Sequence, residues 1–184
     1  MNKLESQQIN SYAFALYSIY KEEKNDFLND LKIIAKELES NDVFVDILSS
    51  YNISKKERKK ILEDVFLKNT NKYVLNFLYV LVDNNFFKNV LKIIDLFFKY
   101  YFLEENILNV VVESAFEVTN NEQKQIINYL KQYYKKEIIC NFVINKNIIG
   151  GIKIIINDED VIDYSIKGKL DQLKFDILNN GDKK

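Results

Sequence analysis

The side chains that could do acid–base chemistry in this sequence are its carboxylates, because imidazole, the usual general base and transition-metal ligand, is missing. The chain has no His, one Cys (Cys140), one Arg (Arg58) and four Gly: Gly150, Gly151, Gly168 and Gly181. No Ser-His-Asp or Cys-His arrangement can form, and a lone Cys makes neither an internal disulfide nor a CxxC pair. Phosphate-cradling loops need glycines that four scattered residues do not supply. Asp158, Glu159 and Asp160 cluster between two apolar runs. There they read as turn residues that hydrogen-bond their own backbone, and their spacing is not that of a calcium loop. Asp83 and Asp95 lie inside strongly apolar helical stretches and are either buried or at a helix edge facing solvent. Cys140, in a β-branched run, reads as a small core residue. No catalytic residue, metal or cofactor is expected.

The remaining concentration of charge is Lys55-Lys56-Glu57-Arg58-Lys59-Lys60. Placed at a helix N-terminus, it opposes the helix macrodipole. Two readings stand: a solvated face in a Lys-rich chain, or a contact for an acidic partner. With 26 Lys and Arg against 27 Asp and Glu, the net charge of −1 gives no field that would gather nucleic acid. The longest uncharged stretch in the apolar middle, Tyr73 to Val82, falls far short of the roughly 20 residues a spanning helix needs. Ala13-Phe14-Ala15 imitates a signal-peptidase site, but no apolar region precedes it and Glu5 stands where basic residues belong, so no export signal is expected.

The elements that must position these residues change character along the chain. Up to about Glu105 the apolar residues recur at helical spacing, interrupted by short polar segments. Six helices are predicted. The first carries Tyr12, Ala15, Leu16, Ile19 and Tyr20; the second follows Asn25; the third covers Val43 to Leu48. The fourth opens on a Ser54/Glu57 capping box, the fifth runs from Thr70 to about Asn84, and the sixth from about Phe87 to Leu103. The fifth is apolar nearly all round, which marks a central helix or one buried on two sides. Beyond Asn106, β-branched runs predict strands at Ile107–Val112, Ile138–Ile144, Ile152–Ile156 and Val161–Ile166. A helix opening on a Thr119/Glu122 capping box falls between the first two, Asn157 to Asp160 forms a hairpin turn, and a closing helix spans about Gly168 to Leu178. Gly150-Gly151 reads as a bulge, tight turn or close backbone approach. The fold expected is α+β: an antiparallel six-helix bundle over residues 1–105, then a small α/β domain over residues 106–184.

Three separated stretches carry a resemblance. Tyr12-Ala13-Phe14-Ala15-Leu16 is similar to a YAxAL first helix, and Val110-Val111-Val112-Glu113-Ser114-Ala115 to the strand that opens a C-terminal domain. Ile148-Ile149-Gly150-Gly151, followed by Asp163-Tyr164-Ser165 and Lys169-Leu170, is similar to a signature of the form LIGG, D-G-S and a basic-Leu pair. The whole resembles the family of F-type ATP synthase delta subunits, which includes the mitochondrial oligomycin-sensitivity-conferring protein. The resemblance implies a non-catalytic stator part on the cytoplasmic face of a bacterial membrane. Its N-terminal domain would bind the N-terminal helix of an alpha subunit between the first and fifth helices, and its C-terminal domain would meet the ends of the b subunits. The groove residues expected are Tyr12, Ala13, Leu16, Val74, Phe77, Leu78 and Leu81; for any one of them, filling the bundle core is the competing expectation. Gly150, Gly151, Asp163 and Ser165 are expected to shape the C-terminal domain. Phe77→Asp and Leu78→Asp are expected to weaken binding of the alpha helix while keeping the fold. The alternative to this reading is a generic helical adaptor whose basic run contacts an acidic partner.

Overall fold

The computed structural model describes residues 3–24, 26–67, 70–157 and 160–165. Among them are seven α-helices and a four-stranded mixed sheet, an α+β fold. The chain divides between Tyr101 and Phe102 into two compact units, each with its own core.

The first unit is helical. Helices α1 (Lys3–Glu22), α2 (Phe27–Glu39) and α3 (Asp42–Ser49) are followed by α4 (Lys55–Phe66), α5 (Lys72–Asp83) and α6 (Val90–Glu104). Helix α4 starts where predicted because both halves of its capping box form: Ser54 Oγ accepts the Glu57 N–H, and Glu57 Oε2 accepts the Ser54 N–H. Helix α5 starts later than predicted, after Asn71 instead of Thr70. Asn71 Oδ1 accepts the Tyr73 N–H, while its own N–H donates to the buried Asp30 carboxylate of α2 at 2.6 Å. A negative group at a helix start complements the partial positive charge there. The predicted sixth helix is corrected to a 3-10 turn, Phe87–Asn89, leading into α6. The chain has to reverse after α5, and Asn85 does so in the left-handed region at φ 51. Phe27, Phe87, Phe97, Leu16, Leu31, Ile34, Leu38 and Leu78 are fully enclosed in this core.

In the second unit, β1 (Ile107–Ser114), α7 (Asn120–Tyr134), β2 (Glu137–Ile144), β3 (Ile152–Ile156) and β4 (Asp160–Asp163) form a sheet in the order β2-β1-β3-β4. β1 and β2 are parallel, Ile107 beside Glu137 and Ser114 beside Ile144, so a crossover is required and α7 supplies it. β3 is antiparallel to β1 and to β4. Alternate residues of β1 (Leu108, Val110, Val112, Ser114) point into the core with Leu130, Ile138, Ile154 and Ile156. Two predicted boundaries are corrected. Asp160 belongs to β4, not to the hairpin turn, because it pairs with Ile156, and β4 ends at Asp163, with Tyr164 and Ser165 leaving the ladder. Ile166 and the predicted closing helix lie outside the described residues.

Candidate partner-binding site

Helices α1 and α5 are linked at two points and run antiparallel. Tyr12, midway along α1, stacks on Phe86 just past α5, with ring centroids 5.3 Å apart; beyond the other end of α1, Glu23 accepts a hydrogen bond from Tyr73 Oη at the start of α5, at 2.8 Å. Rising residue numbers on one helix meet falling numbers on the other. From these contact points the i, i+3, i+7 spacing gives one face on each helix: Tyr12, Ala15 and Ile19 on α1, Tyr73, Asn76 and Val80 on α5. Tyr12, Ile19, Tyr73 and Phe86 are partly buried against the core, while Ala15, Asn76 and Val80 are exposed, Val80 keeping 44% of its surface.

Of the seven residues expected to line a groove, Tyr12 alone reaches this rim. Ala13, Leu16, Val74, Leu78 and Leu81 are fully enclosed and Phe77 is 5% exposed, all in one core cluster. They form the floor beneath the seam. Ile19, Tyr73, Val80 and Phe86 were not expected from sequence; the structure leaves them partly or largely exposed around that floor, and the signal available was the matched spacing on the two helices.

The basic run has a role inside the fold. Lys55 Nζ donates to the main-chain oxygen of Asp83, the last residue of α5, at 2.6 Å, and Lys59 pairs with the Asp83 carboxylate at 2.6 Å. Lysines that oppose the macrodipole of α4 thus complement the C-terminus of its neighbour α5 and occupy one of its orphan carbonyls. Arg58 is buried at 2% exposure. It donates from Nη1 to Leu48 O of α3 at 3.1 Å and from Nη2 to Asn85 Oδ1 at 2.9 Å, so one guanidinium joins α3, α4 and the turn that presents Phe86. The hint was that Arg58 is the single arginine among 26 basic residues. Asp83 is therefore a helix-edge residue facing solvent and a cation partner, and Asp95 is exposed on α6.

In the second unit the two glycines make a tight turn into β3, both in the left-handed region (φ 66 and 81). A Cβ at Gly151 would lie 2.4 Å from Tyr164 O, so the backbone after β4 passes directly over it. Asp163 Oδ1 accepts the Ser165 N–H at 2.8 Å, Tyr164 N–H donates to Ile152 O at 2.9 Å, and Ser165 is buried. Gly150, Gly151, Asp163 and Ser165 thus come together at one end of the sheet. Cys140 is half-buried, and that burial pushes its thiol up to about 11. Among the described residues no group of three or more carboxylate or Cys side chains could hold a metal ion, and no helix is long and apolar enough to cross a membrane.

The family pattern described as the ATP synthase delta (OSCP) subunit matches residues 9–177. The chain belongs to the ATP synthase delta (OSCP) subunit family. It is similar to ATP synthase subunit delta of Malacoplasma penetrans, 40% identical with 96% of this chain and 97% of that one aligned. It is similar also to ATP synthase subunit delta of Acetivibrio thermocellus, 39% identical over 91% and 95%. Its fold matches a chain in the cryo-EM structure of the Toxoplasma gondii mitochondrial ATP synthase hexamer with a TM-score of 0.74 at 18% identity, covering 92% of this chain and 97% of that one. As a delta (OSCP) family member the chain is a non-catalytic component of the peripheral stalk of the F-type ATP synthase.

Proposed function

We propose that this subunit holds the catalytic head of the synthase still by taking an amphipathic helix, the N-terminus of the alpha subunit, along the seam between α1 and α5. In this reading residues 1–105 are an antiparallel six-helix bundle that grips the head. Residues 106–184 meet the ends of the b subunits, and the assembly sits at the cytoplasmic face of a bacterial membrane, so that proton-driven rotation is coupled to ATP formation. The observation that carries it is the pair of matched walls, Tyr12, Ala15 and Ile19 against Tyr73, Asn76 and Val80, left partly open over a closed apolar floor. Two mainly apolar rows at helical spacing, with Asn76 the one polar member, form the kind of cleft into which an amphipathic helix lays its apolar face.

Calorimetric titration of the full chain with a peptide of the alpha subunit's N-terminal helix tests this. Saturable one-to-one binding with a negative heat-capacity change is expected. Val80→Asp should weaken it by at least about tenfold with circular dichroism unchanged, since Val80 stands on the rim. Phe77→Asp and Leu78→Asp, contrary to the expectation from sequence, should unfold the helical unit because both residues belong to the floor. No binding by the folded chain, or binding indifferent to Val80→Asp and Tyr12→Ala, sinks the reading.

A further inference from the structure

The two edges of the sheet are built differently. β4 is four residues long and has Asp160 and Asp163 at its two ends. β2 is eight residues long, and from Ile138 to Ile144 it carries no charge, no Pro and no Gly. Edge strands in stable proteins are blunted by charge, proline, bulges or short length, because their outward N–H and C=O groups otherwise template another strand. β4 has such protection and β2 has none between its ends. β2 pairs with β1 alone among the described residues, and its parallel ladder engages the main-chain groups of alternate residues, leaving the others turned outward. Val143 and Ile144 near its end are 46% and 55% exposed.

We propose that the outer edge of β2 takes an additional strand from a partner polypeptide: an extended, uncharged segment bounded by acidic residues. The main chain of the edge specifies an extended occupant, since a helix has no main-chain groups free to pair with it. The flanking charge specifies the rest. Glu137, the first residue of β2, is paired with Lys131 at 2.6 Å; Lys135 and Lys136 precede the strand, Lys146 follows it, and none of these three lysines makes an ion pair among the described residues. A second copy of β2 would bring lysines to lysines, whereas carboxylates at the ends of a partner strand meet them. The proposal rests on the stator reading and gives the mode of contact for the second unit.

Hydrogen exchange of the full chain, free and within the purified synthase, tests it. The outward amides of β2 should exchange at least about tenfold more slowly in the assembled enzyme. A photoreactive residue at position 143 should cross-link there to a segment with uncharged residues between carboxylates. Asn141→Lys, an exposed position on the strand, should abolish the protection while the free chain keeps its circular dichroism. Equal exchange in the free and assembled states, or a cross-link to a helical segment, overturns the proposal. So does protection that appears when the free chain is merely concentrated, which would mark self-pairing. Absence of the chain from the purified synthase overturns the stator reading and the proposal together, and is distinguished by subunit composition.

Discussion

Replacing Arg58 by Lys keeps the charge and most of the stem but removes the fork. The guanidinium, 2% exposed, donates to Leu48 O at 3.1 Å and to Asn85 Oδ1 at 2.9 Å. A single ammonium on a shorter reach can satisfy one of those acceptors. Loss of a charge-assisted bond costs about 1.5–3 kcal/mol, and an unsatisfied buried acceptor adds about 1–3 kcal/mol. Part of this is offset because Arg58 Nε is itself buried without a partner and disappears in the variant. The net is a loss of about 3 kcal/mol, which in the helical unit, Met1–Tyr101, lowers its Tm by about 12–24 °C. Urea unfolding followed by circular dichroism measures it, with Arg58→Met as the comparison, since Met drops the buried charge and leaves both acceptors open. The Lys variant should be no more stable than the Met variant. It should also bind the alpha helix more weakly, because Asn85 holds the turn that stacks Phe86 on Tyr12. An Arg58→Lys protein within about 0.5 kcal/mol of the wild type would show that the fork does not hold α3, α4 and the Asn85 turn together.

Gly151→Ala should destabilise the second unit by at least about 2 kcal/mol, from the left-handed backbone at φ 81 and the 2.4 Å approach to Tyr164 O; unchanged hydrogen exchange in β3 and β4 would count against it. The Glu122 carboxylate is held below its ordinary range by the Thr119 hydroxyl and then by the Thr119 N–H. A depressed carboxylate stabilises the fold above its unfolded value and loses that contribution as pH falls through its folded value. Glu122→Gln should therefore be less stable than the wild type at neutral pH, with the gap closing below the ordinary glutamate range; a gap constant with pH would contradict the capping box. The Cys140 thiol, raised to about 11 by burial, should react slowly with maleimide at neutral pH in the folded chain and fast in urea.

Both capping boxes and the extensive burial of α5 could be read from the sequence, because each depends on residues three or four positions apart. The division of α5 into floor and rim could not. Val74, Phe77, Leu78 and Leu81 look like Val80 in composition, and only the elements that pack around α5, with α4 and α2 foremost, separate buried residues from exposed ones. The basic run misled for a similar reason. Its macrodipole mismatch is real within α4 and is resolved by the neighbouring α5, 28 positions away in sequence at the Lys55 to Asp83 contact. Asp30 at the start of α5 is 41 positions from Asn71 and left no local trace.

The strand order has a consequence in time. β1 sits between β2 and β3, so the first strand made is the one that needs the later strands on both its sides. The last residue of β4 leaves the ribosome some sixty residues after the end of α6, on the order of 3–12 s of synthesis later. Through that interval the helices can close on contacts near in sequence, while Ile107–Ser114 waits as a nascent ribbon with both flanks open. The chain is born as a finished helical half towing an unfinished sheet, and the window in which misfolding or chaperone capture can act belongs to the second half alone.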